Sequence, residues 1–266
     1  MKRIFALTLF ICILLCGCGK AGTAPGESGL DDNTSSTTLS TETPSQPNQP
    51  EKVTVYLLEK SVLADSGYTE YFYDENYNLI KYDTFTIENA LRFTCYYEDR
   101  DANGMPLKVR EVWDPDYCNV YTLTWDNDGK LLEEVGDSNI KYDYDAAGKL
   151  IKKSEYYEGA LFSAVHYEYN GDMLTKIYRT NADERLEFEC RVENNHIVEK
   201  RYYDEQGNVE YTFDLVYDKN GNLTKEIEHY EDETATSKLY TYKAVEVDAN
   251  RAQYLLELQK HLLAIT

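Results

Sequence analysis

The sequence has little positive charge. Its 266 residues include 27 lysines and arginines against 48 acidic residues, a formal net charge of −21, and the isoelectric point is near 4.5. A nucleic-acid-binding protein neutralises phosphates with a basic face, so we expect no nucleic-acid partner. The chain also has only six prolines and two tryptophans, and its composition and patterning exclude a collagen, a coiled coil or a polytopic membrane protein. Tyrosine is the abundant aromatic residue, with 25 copies against eight phenylalanines.

Motifs for catalysis are missing from the sequence. The four histidines have no metal-ligand spacing, and neither a Gly-x-Ser-x-Gly motif nor a phosphate-binding glycine loop occurs. In so acidic a chain, two carboxylates that are close in sequence are no evidence of a general acid and base. We therefore predict a protein that is not an enzyme. A glycosidase pair assembled from distant strands is the alternative that a sequence leaves open.

Cysteine is scarce beyond the first eighteen residues. Only Cys95, Cys118 and Cys190 occur there, and their separations fit no small disulfide framework. A bridge between Cys95 and Cys118 stays open, and Cys190 is expected to be a buried thiol on an apolar strand face.

The N-terminus has the form of a targeting signal. Lys2 and Arg3 precede an apolar run, Ile4 to Leu15, which is too short to span a hydrocarbon core of ~30 Å. Leu15-Cys-Gly-Cys18 closes the run and resembles the lipobox of bacterial lipoproteins. The resemblance implies cleavage after residue 17 and a lipid on Cys18, which would anchor the chain to a bacterial membrane on its extracytoplasmic side. An ordinary secretory peptide is the alternative.

Residues 18–52 are predicted to be the lipidated cysteine and a disordered tether. The segment from Asn33 to Pro50 is rich in Ser, Thr, Pro and Gln, with too little apolar surface to offset the entropy of ordering. Such a tether would hold a domain roughly 30 Å from the lipid on average.

Residues 53–248 are predicted to form a repeat domain. An aromatic residue, an acidic residue, a short turn and an apolar residue recur in register. The copies are Tyr73–Leu79, Trp125–Leu131, Tyr144–Leu150, Tyr203–Val209 and Tyr217–Leu223. Degenerate copies begin at Tyr97, Tyr169 and Val192.

Each copy is predicted to be a β-hairpin. The strand that enters the turn alternates apolar and polar residues, as in Val165, Tyr167 and Tyr169 against His166 and Glu168, which is the period of a half-buried strand. The aspartate can bond backbone amides two residues on, and the glycine supplies the positive φ of a short turn. Successive hairpins give an antiparallel meander.

The Tyr-Asp-x-x-Gly-Asn-Leu pattern resembles the YD repeats of Rhs-type bacterial surface and toxin-shell proteins. The resemblance covers roughly residues 68 to 245. It implies a long curled β-sheet built from successive hairpins, in an extracellular setting.

The sheet must also close in some way. We expect roughly fourteen to sixteen strands, more than the ~10 that open twisted sheets usually tolerate, so the fold class is all-β with a curled or barrel-like sheet. Residues 249–266 are predicted to be one amphipathic helix, with Leu255, Leu258, Leu262 and Ile265 on one stripe. The stripe should cover an open end or an apolar face of the sheet; docking on a partner is the alternative.

Adjacent tyrosines suggest a binding surface. Pairs such as Tyr96-Tyr97, Tyr156-Tyr157 and Tyr202-Tyr203 put aromatic rings on both faces of a strand. Core packing is the simpler role for most tyrosines. As a second role, exposed rings at Tyr97, Tyr157 and Tyr202 could stack on the apolar faces of a glycan.

One loop resembles the start of a calcium site. Asp99, Asp101 and Asn103 have the spacing of the first oxygen ligands of a calcium loop, followed by a glycine. The bidentate glutamate at position twelve is replaced by Arg110, so an inserted hairpin turn is the alternative, and we predict no cofactor.

The sequence therefore predicts a lipid-anchored, extracytoplasmic bacterial protein that binds a glycan or a protein partner. A passive structural lipoprotein of the envelope is the second interpretation.

Overall fold

A computed structural model describes residues 51–114, 116–230 and 233–265. The predicted signal segment, Cys18 and almost all of the predicted tether lie outside the described residues. The strands are β1 (Lys52–Leu63), β2 (Gly67–Tyr73), β3 (Leu79–Phe85), β4 (Leu91–Arg100), β5 (Pro106–Asp114), β6 (Tyr117–Trp125), β7 (Leu131–Val135), β8 (Ser138–Tyr144), β9 (Leu150–Tyr157), β10 (Ala160–Asn170), β11 (Met173–Asn181), β12 (Leu186–Glu193), β13 (His196–Tyr203), β14 (Val209–Tyr217), β15 (Leu223–Tyr230) and β16 (Glu233–Asp248). One helix, α1 (Ala249–Ile265), follows.

The sixteen strands form one closed antiparallel barrel in which every strand pairs with its neighbours in sequence. β1 and β16 close the barrel, with Lys52 opposite Asp248 and Leu63 opposite Lys238. The predicted all-β meander with a barrel-like sheet and one C-terminal helix is confirmed. Closure leaves the sheet without a free edge, which removes the surface on which strands of other chains could pair.

The repeated turn forms as its residues predict. In each turn one aspartate oxygen accepts hydrogen bonds from the backbone amides two and four residues later, at 2.8 to 2.9 Å. The aspartates are Asp74, Asp101, Asp126, Asp145, Asp204 and Asp218. Glycine takes the positive φ that ends the turn, for example 79° at Gly129 and 82° at Gly221, whereas Tyr77 takes φ 62° at the same place in the first turn.

The aromatic residue before the turn ties each hairpin to the one before it. Its polar atom donates to a backbone carbonyl 13 to 20 residues earlier, at 2.6 to 3.0 Å. The pairs are Tyr73 with Leu58, Trp125 with Pro106, Tyr144 with Leu131, Tyr169 with Leu150, Tyr217 with Ile197 and Tyr242 with Leu223. Each bond therefore ties an even-numbered strand to the strand before it, close to the ends of the strands at which these turns lie.

Two copies of the repeat differ from the expected alignment. Turns after even-numbered strands lie at one end of the barrel, which we call the motif end. Turns after odd-numbered strands lie at the other, the distal end. The copy at Tyr203 follows β13 and is therefore distal. Its ring faces outward, because the inward neighbour is Tyr202 and the Tyr203 hydroxyl donates to Glu189 at 2.5 Å. In the degenerate copy at Tyr97, Asp99 takes a positive φ of 49° and the turn begins at Asp101. Arg100 takes the aromatic position, and its guanidinium donates to the Leu79 carbonyl.

The barrel interior is a packed core. One cluster of buried side chains draws on strands all around the barrel and includes Tyr71, Tyr82, Tyr97, Tyr142 and Tyr167. Desolvation by burial, its largest cause, raises the pKa of Tyr71 to about 12. The outer face is polar and carries ion pairs such as Lys60–Glu70 at 3.0 Å, Lys81–Asp83 at 2.6 Å and Arg191–Glu199 at 3.1 Å.

Candidate functional site

The motif end is closed by apolar residues and by helix α1. Leu79, Leu131, Leu150 and Leu223, each at most 5% exposed, follow the turns there, and Leu258 of the helix joins the same core cluster. Leu255 and Ala252 pack with Val55, Leu57, Val245 and Val247 in a second core. The predicted amphipathic stripe therefore faces the barrel at these helix residues.

Polar contacts fix the helix over the turns. The Arg251 guanidinium donates to the Asn103 carbonyl at 2.7 Å and to the Asn78 side chain. Gln253 donates to the Asp128 carbonyl at 3.5 Å. The helix thus reaches three successive repeat turns, and a partner would find this part of the motif end already occupied.

The distal end presents exposed apolar side chains at its turns. They lie at the ends of strands or in the connections between them, and each is 39% to 60% exposed. We call this set the distal rim: Leu63, Ile87, Leu91, Tyr117, Val135, Tyr157, Phe162, Val209 and Tyr230. Exposed apolar residues also follow the motif-end turns, at Ile80, Leu132, Ile151 and Met173. The distal rim differs from them in its larger number of apolar residues and in its exposed rings, Tyr117, Tyr157, Phe162 and Tyr230.

Aromatic residues line the interior just below the rim. The rings of Phe93 and Trp113 stack with centroids 4.3 Å apart, and Tyr121 lies so close to Gly136 that a Cβ there would sit 2.4 Å from its ring. Tyr202 and Tyr211 stack at 4.6 Å farther round the barrel. These rings make a rigid floor for anything that contacts the rim.

Charged groups also face the interior near the distal end. Burial is the largest cause that raises the pKa of Glu111 above its usual range. The buried Arg179 guanidinium lies 2.9 Å from the Ser163 hydroxyl, 3.0 Å from Glu187 and 3.7 Å from Glu155. Because this guanidinium is compensated by two carboxylates, it serves the structure of the barrel wall.

A second interior cluster lies on β13, β15 and β16. Glu226 accepts from the Tyr240 hydroxyl at 2.6 Å and lies 3.8 Å from Lys200. Desolvation by burial lowers the pKa of Lys238 to about 8, even though Glu226 favours its charged form. The charges of this cluster therefore compensate one another, and the cluster is part of the barrel core.

A cleft of about 550 Å³ lies between two neighbouring turns at the motif end. It is lined by Asp126, Asp128, Lys130, Asp143 and Asp145 among others. Asp126 and Asp145 already accept the amide bonds of their own turns. Within the described ranges, no group of three or more His, Cys, Asp or Glu side chains could hold a metal ion.

The structure separates the predicted binding tyrosines. Tyr97 and Tyr202 face the core and are 4% and 8% exposed, whereas Tyr157 is 57% exposed on the distal rim. Tyr97 and Tyr202 thus lack the exposure that stacking on a glycan requires, whereas Tyr157 has it, and glycan binding stays an untested prediction. In adjacent pairs one ring must point inward, and here the second tyrosine of Tyr96-Tyr97 and the first of Tyr202-Tyr203 do so.

The predicted calcium residues form an ordinary repeat turn. Asp101 accepts hydrogen bonds from the amides of Asn103 and Met105, while Asp99 lies in β4 with a positive φ of 49°. The Asp101 carboxylate thus has the same function as the other turn aspartates, and calcium binding at Asp99, Asp101 and Asn103 stays an untested prediction.

None of the three cysteines within the described residues forms a disulfide. Cys95 and Cys190 are buried in the core and Cys118 is exposed. Cys95 pairs in register with Glu111 and Cys118 with Val112, the next residue, so the two thiols lie on opposite faces of the sheet. The bridge left open by the sequence is not formed.

The aliphatic part of the distal rim was not predicted. A signal was available, because apolar residues interrupt otherwise polar turn segments, as in Thr86-Ile-Glu-Asn89 and Glu158-Gly-Ala-Leu-Phe162. Reading the tyrosines alone missed these positions.

Comparison with known proteins gives structural likeness only. No protein-family model matches the chain, and no curated protein matches it. A porin-like protein from Bacteroides uniformis ATCC 8492 is similar at 14% identity and a TM-score of 0.46, over 73% of this chain and 96% of that one. The TcdB2-TccC3-Cdc42 structure is similar at 14% identity and a TM-score of 0.24, and the match spans 70% of this chain but only 15% of that one. The GtfA/B complex is similar at 15% identity and a TM-score of 0.15, and the match spans 68% of this chain and 21% of that one.

No helix within the described residues is long and apolar enough to cross a membrane.

Proposed function

We propose that this chain is a lipid-anchored, extracytoplasmic bacterial protein with YD-type repeats, which binds a partner through its distal end. The observation that carries the proposal is the opposite placement of two features. The described chain begins at Glu51 beside the helix start, where the Ala249 amide donates to the Glu51 carbonyl at 3.1 Å. The exposed apolar rim lies at the other end of the barrel.

This placement has a physical consequence for a tethered protein. A lipid on Cys18 would connect to the barrel at the motif end through the tether, so the distal rim would lie on the side away from the tether. Apolar groups at the free end of a tethered domain are positioned to meet molecules from outside, and their burial on binding is favourable at roughly 25 cal/mol per Å².

The anchor is tested by substitution of one cysteine. In Cys18→Ser, we expect loss of fatty-acid labelling and release of the protein from the membrane fraction. Cys16→Ser is the matched control, two residues away in the same segment, and should stay lipidated and membrane-bound. Continued labelling of Cys18→Ser would contradict the anchor.

The binding end is tested by photo-cross-linking on intact cells. A photoreactive phenylalanine analogue at Tyr157, 57% exposed on the distal rim, should give an adduct of defined mass. The same analogue at Met173, 53% exposed at the motif end, is the matched control and should give none. Adducts at Met173 alone, or at neither position, would favour a passive structural lipoprotein.

A further inference from the structure

The distal rim carries acidic groups together with its apolar side chains. The turns after odd-numbered strands expose Asp65, Glu88, Asp116, Asp137, Glu158 and Glu205. Within the part of the chain that the structure describes, none of these six forms an ion pair, in contrast to the acids of the outer wall. Arg92 and Arg185 are the exposed basic residues beside these same turns.

Unpaired carboxylates around an apolar surface favour a partner of opposite charge. Each is exposed to solvent, so an approaching cation gains attraction without breaking an existing ion pair. Fields of one sign at one end of a molecule also accelerate association with an oppositely charged partner.

The apolar residues of the rim indicate what else the partner carries. Leu63, Ile87, Leu91, Val135 and Val209 are aliphatic, and branched aliphatic side chains offer no flat ring for a sugar to stack on. They do bury well against the side chains of a polypeptide. The rim therefore fits a protein surface more closely than a glycan.

We infer that the distal rim docks a cationic polypeptide surface, in which lysines or arginines surround apolar side chains. The inference rests on the proposed binding function and names its partner class. The carboxylates would attract and orient the basic groups, and Ile87, Tyr157 and Phe162 would contact the apolar ones.

The test uses defined peptides against the full chain. The probe is a twelve-residue peptide of alternating lysine and phenylalanine. Its comparisons are a lysine–serine peptide, a glutamate–phenylalanine peptide and chitohexaose, with affinity measured by thermophoresis at two salt concentrations. We expect the lysine–phenylalanine peptide to bind at least tenfold more tightly than each comparison, and to weaken as salt rises.

Two charge-matched triple variants locate the binding. Glu88→Gln with Glu158→Gln and Glu205→Gln removes three distal charges, and should weaken binding at least fivefold. Glu75→Gln with Asp145→Asn and Asp218→Asn removes three motif-end charges that likewise form no ion pair within the described residues, and should change affinity less than twofold. Ile87→Ser with Phe162→Ser should abolish the preference for phenylalanine over serine peptides.

The inference is overturned if the two triple variants weaken binding equally, because attraction would then reflect net charge alone. Binding of chitohexaose in place of the cationic peptide would overturn it as well. If either of these results is found while Tyr157 still gives an adduct on cells, the proposed binding function is retained and only the cationic polypeptide is rejected as its partner. No adduct and no peptide binding would remove both.

Discussion

The contact between helix α1 and the repeat turns makes a quantitative prediction about two glycines. Gly129 and Gly207 occupy the same place in the turn, with φ of 79° and 82°. A Cβ at Gly207 would meet nothing within 4 Å, whereas one at Gly129 would lie 2.8 Å from the Tyr254 ring of the helix. An alanine at either position therefore incurs the same backbone cost, and only one also clashes.

The backbone cost comes first. A left-handed conformation costs a residue with a Cβ about 1–2 kcal/mol, and the reduced entropy of the unfolded chain returns about 0.4–1 kcal/mol. Gly207→Ala should therefore lower the free energy of unfolding by about 1 kcal/mol. Gly129→Ala should lose the same amount plus about 1–3 kcal/mol, because the Tyr254 ring must move.

The assay is urea unfolding followed by far-ultraviolet circular dichroism, with both substitutions repeated in a Tyr254→Ala background. There the two glycine variants should become equal, since the clash is gone. Equal losses in the original background would refute the position of the helix over this turn, and would favour a helix that is free to dock on a partner.

Three further predictions concern single groups. Burial lowers the pKa of Lys238 to about 8, so the folded state binds fewer protons than the unfolded state between about pH 8 and 10.5. The free energy of unfolding should therefore rise with pH across that window. Lys238→Met should flatten this rise in urea titrations, and an unchanged pH dependence would argue against a lowered pKa at Lys238. Tyr217→Phe removes the donor to the Ile197 carbonyl at 2.8 Å and should cost about 1–3 kcal/mol, while Tyr157→Phe on the exposed rim should cost almost nothing; equal effects would contradict the role of the repeat hydroxyls. A thiol reagent should modify the exposed Cys118 rapidly and the buried Cys95 only on unfolding, so fast labelling of both in the native protein would be the contrary result.

Local chemistry made the hairpins predictable from the sequence. An aspartate that accepts two backbone amides and a glycine with positive φ are short-range features, so the turns at Asp126, Asp145 and Asp218 could be recognised directly. The tyrosine hydroxyl bonds were not predictable, because each acceptor carbonyl lies 13 to 20 residues earlier in the chain and meets the hydroxyl only once the strands have paired.

Closure and the site depend on long-range geometry. The pairing of β1 with β16 joins residues nearly the whole domain apart, and no local pattern encodes it. The end at which each turn lies follows from counting strands. A single strand, β14, separates the Tyr203 copy from the Tyr217 copy, so these two copies lie at opposite ends of the barrel. Exposure of Tyr157 and burial of Tyr97 then follow from the register of each strand and from how near each residue lies to the end of the barrel.

Closure of the barrel by β1 and β16 defines the inner face, the outer face and the two ends of the sheet, so it is the feature to test most directly. Thr54 and Glu246 lie directly opposite each other on the closing strands, and both side chains are exposed. Directly opposed side chains have Cβ atoms about 4.5–5.5 Å apart, close enough for a modest backbone adjustment to allow a disulfide. In a chain with Cys118→Ser, the pair Thr54→Cys and Glu246→Cys should form an intramolecular disulfide under mild oxidation. The pair Thr54→Cys and Glu233→Cys, out of register at the other end of β16, should not. Absence of the first disulfide in a folded protein, or equal formation of both, would contradict a closed barrel in this register.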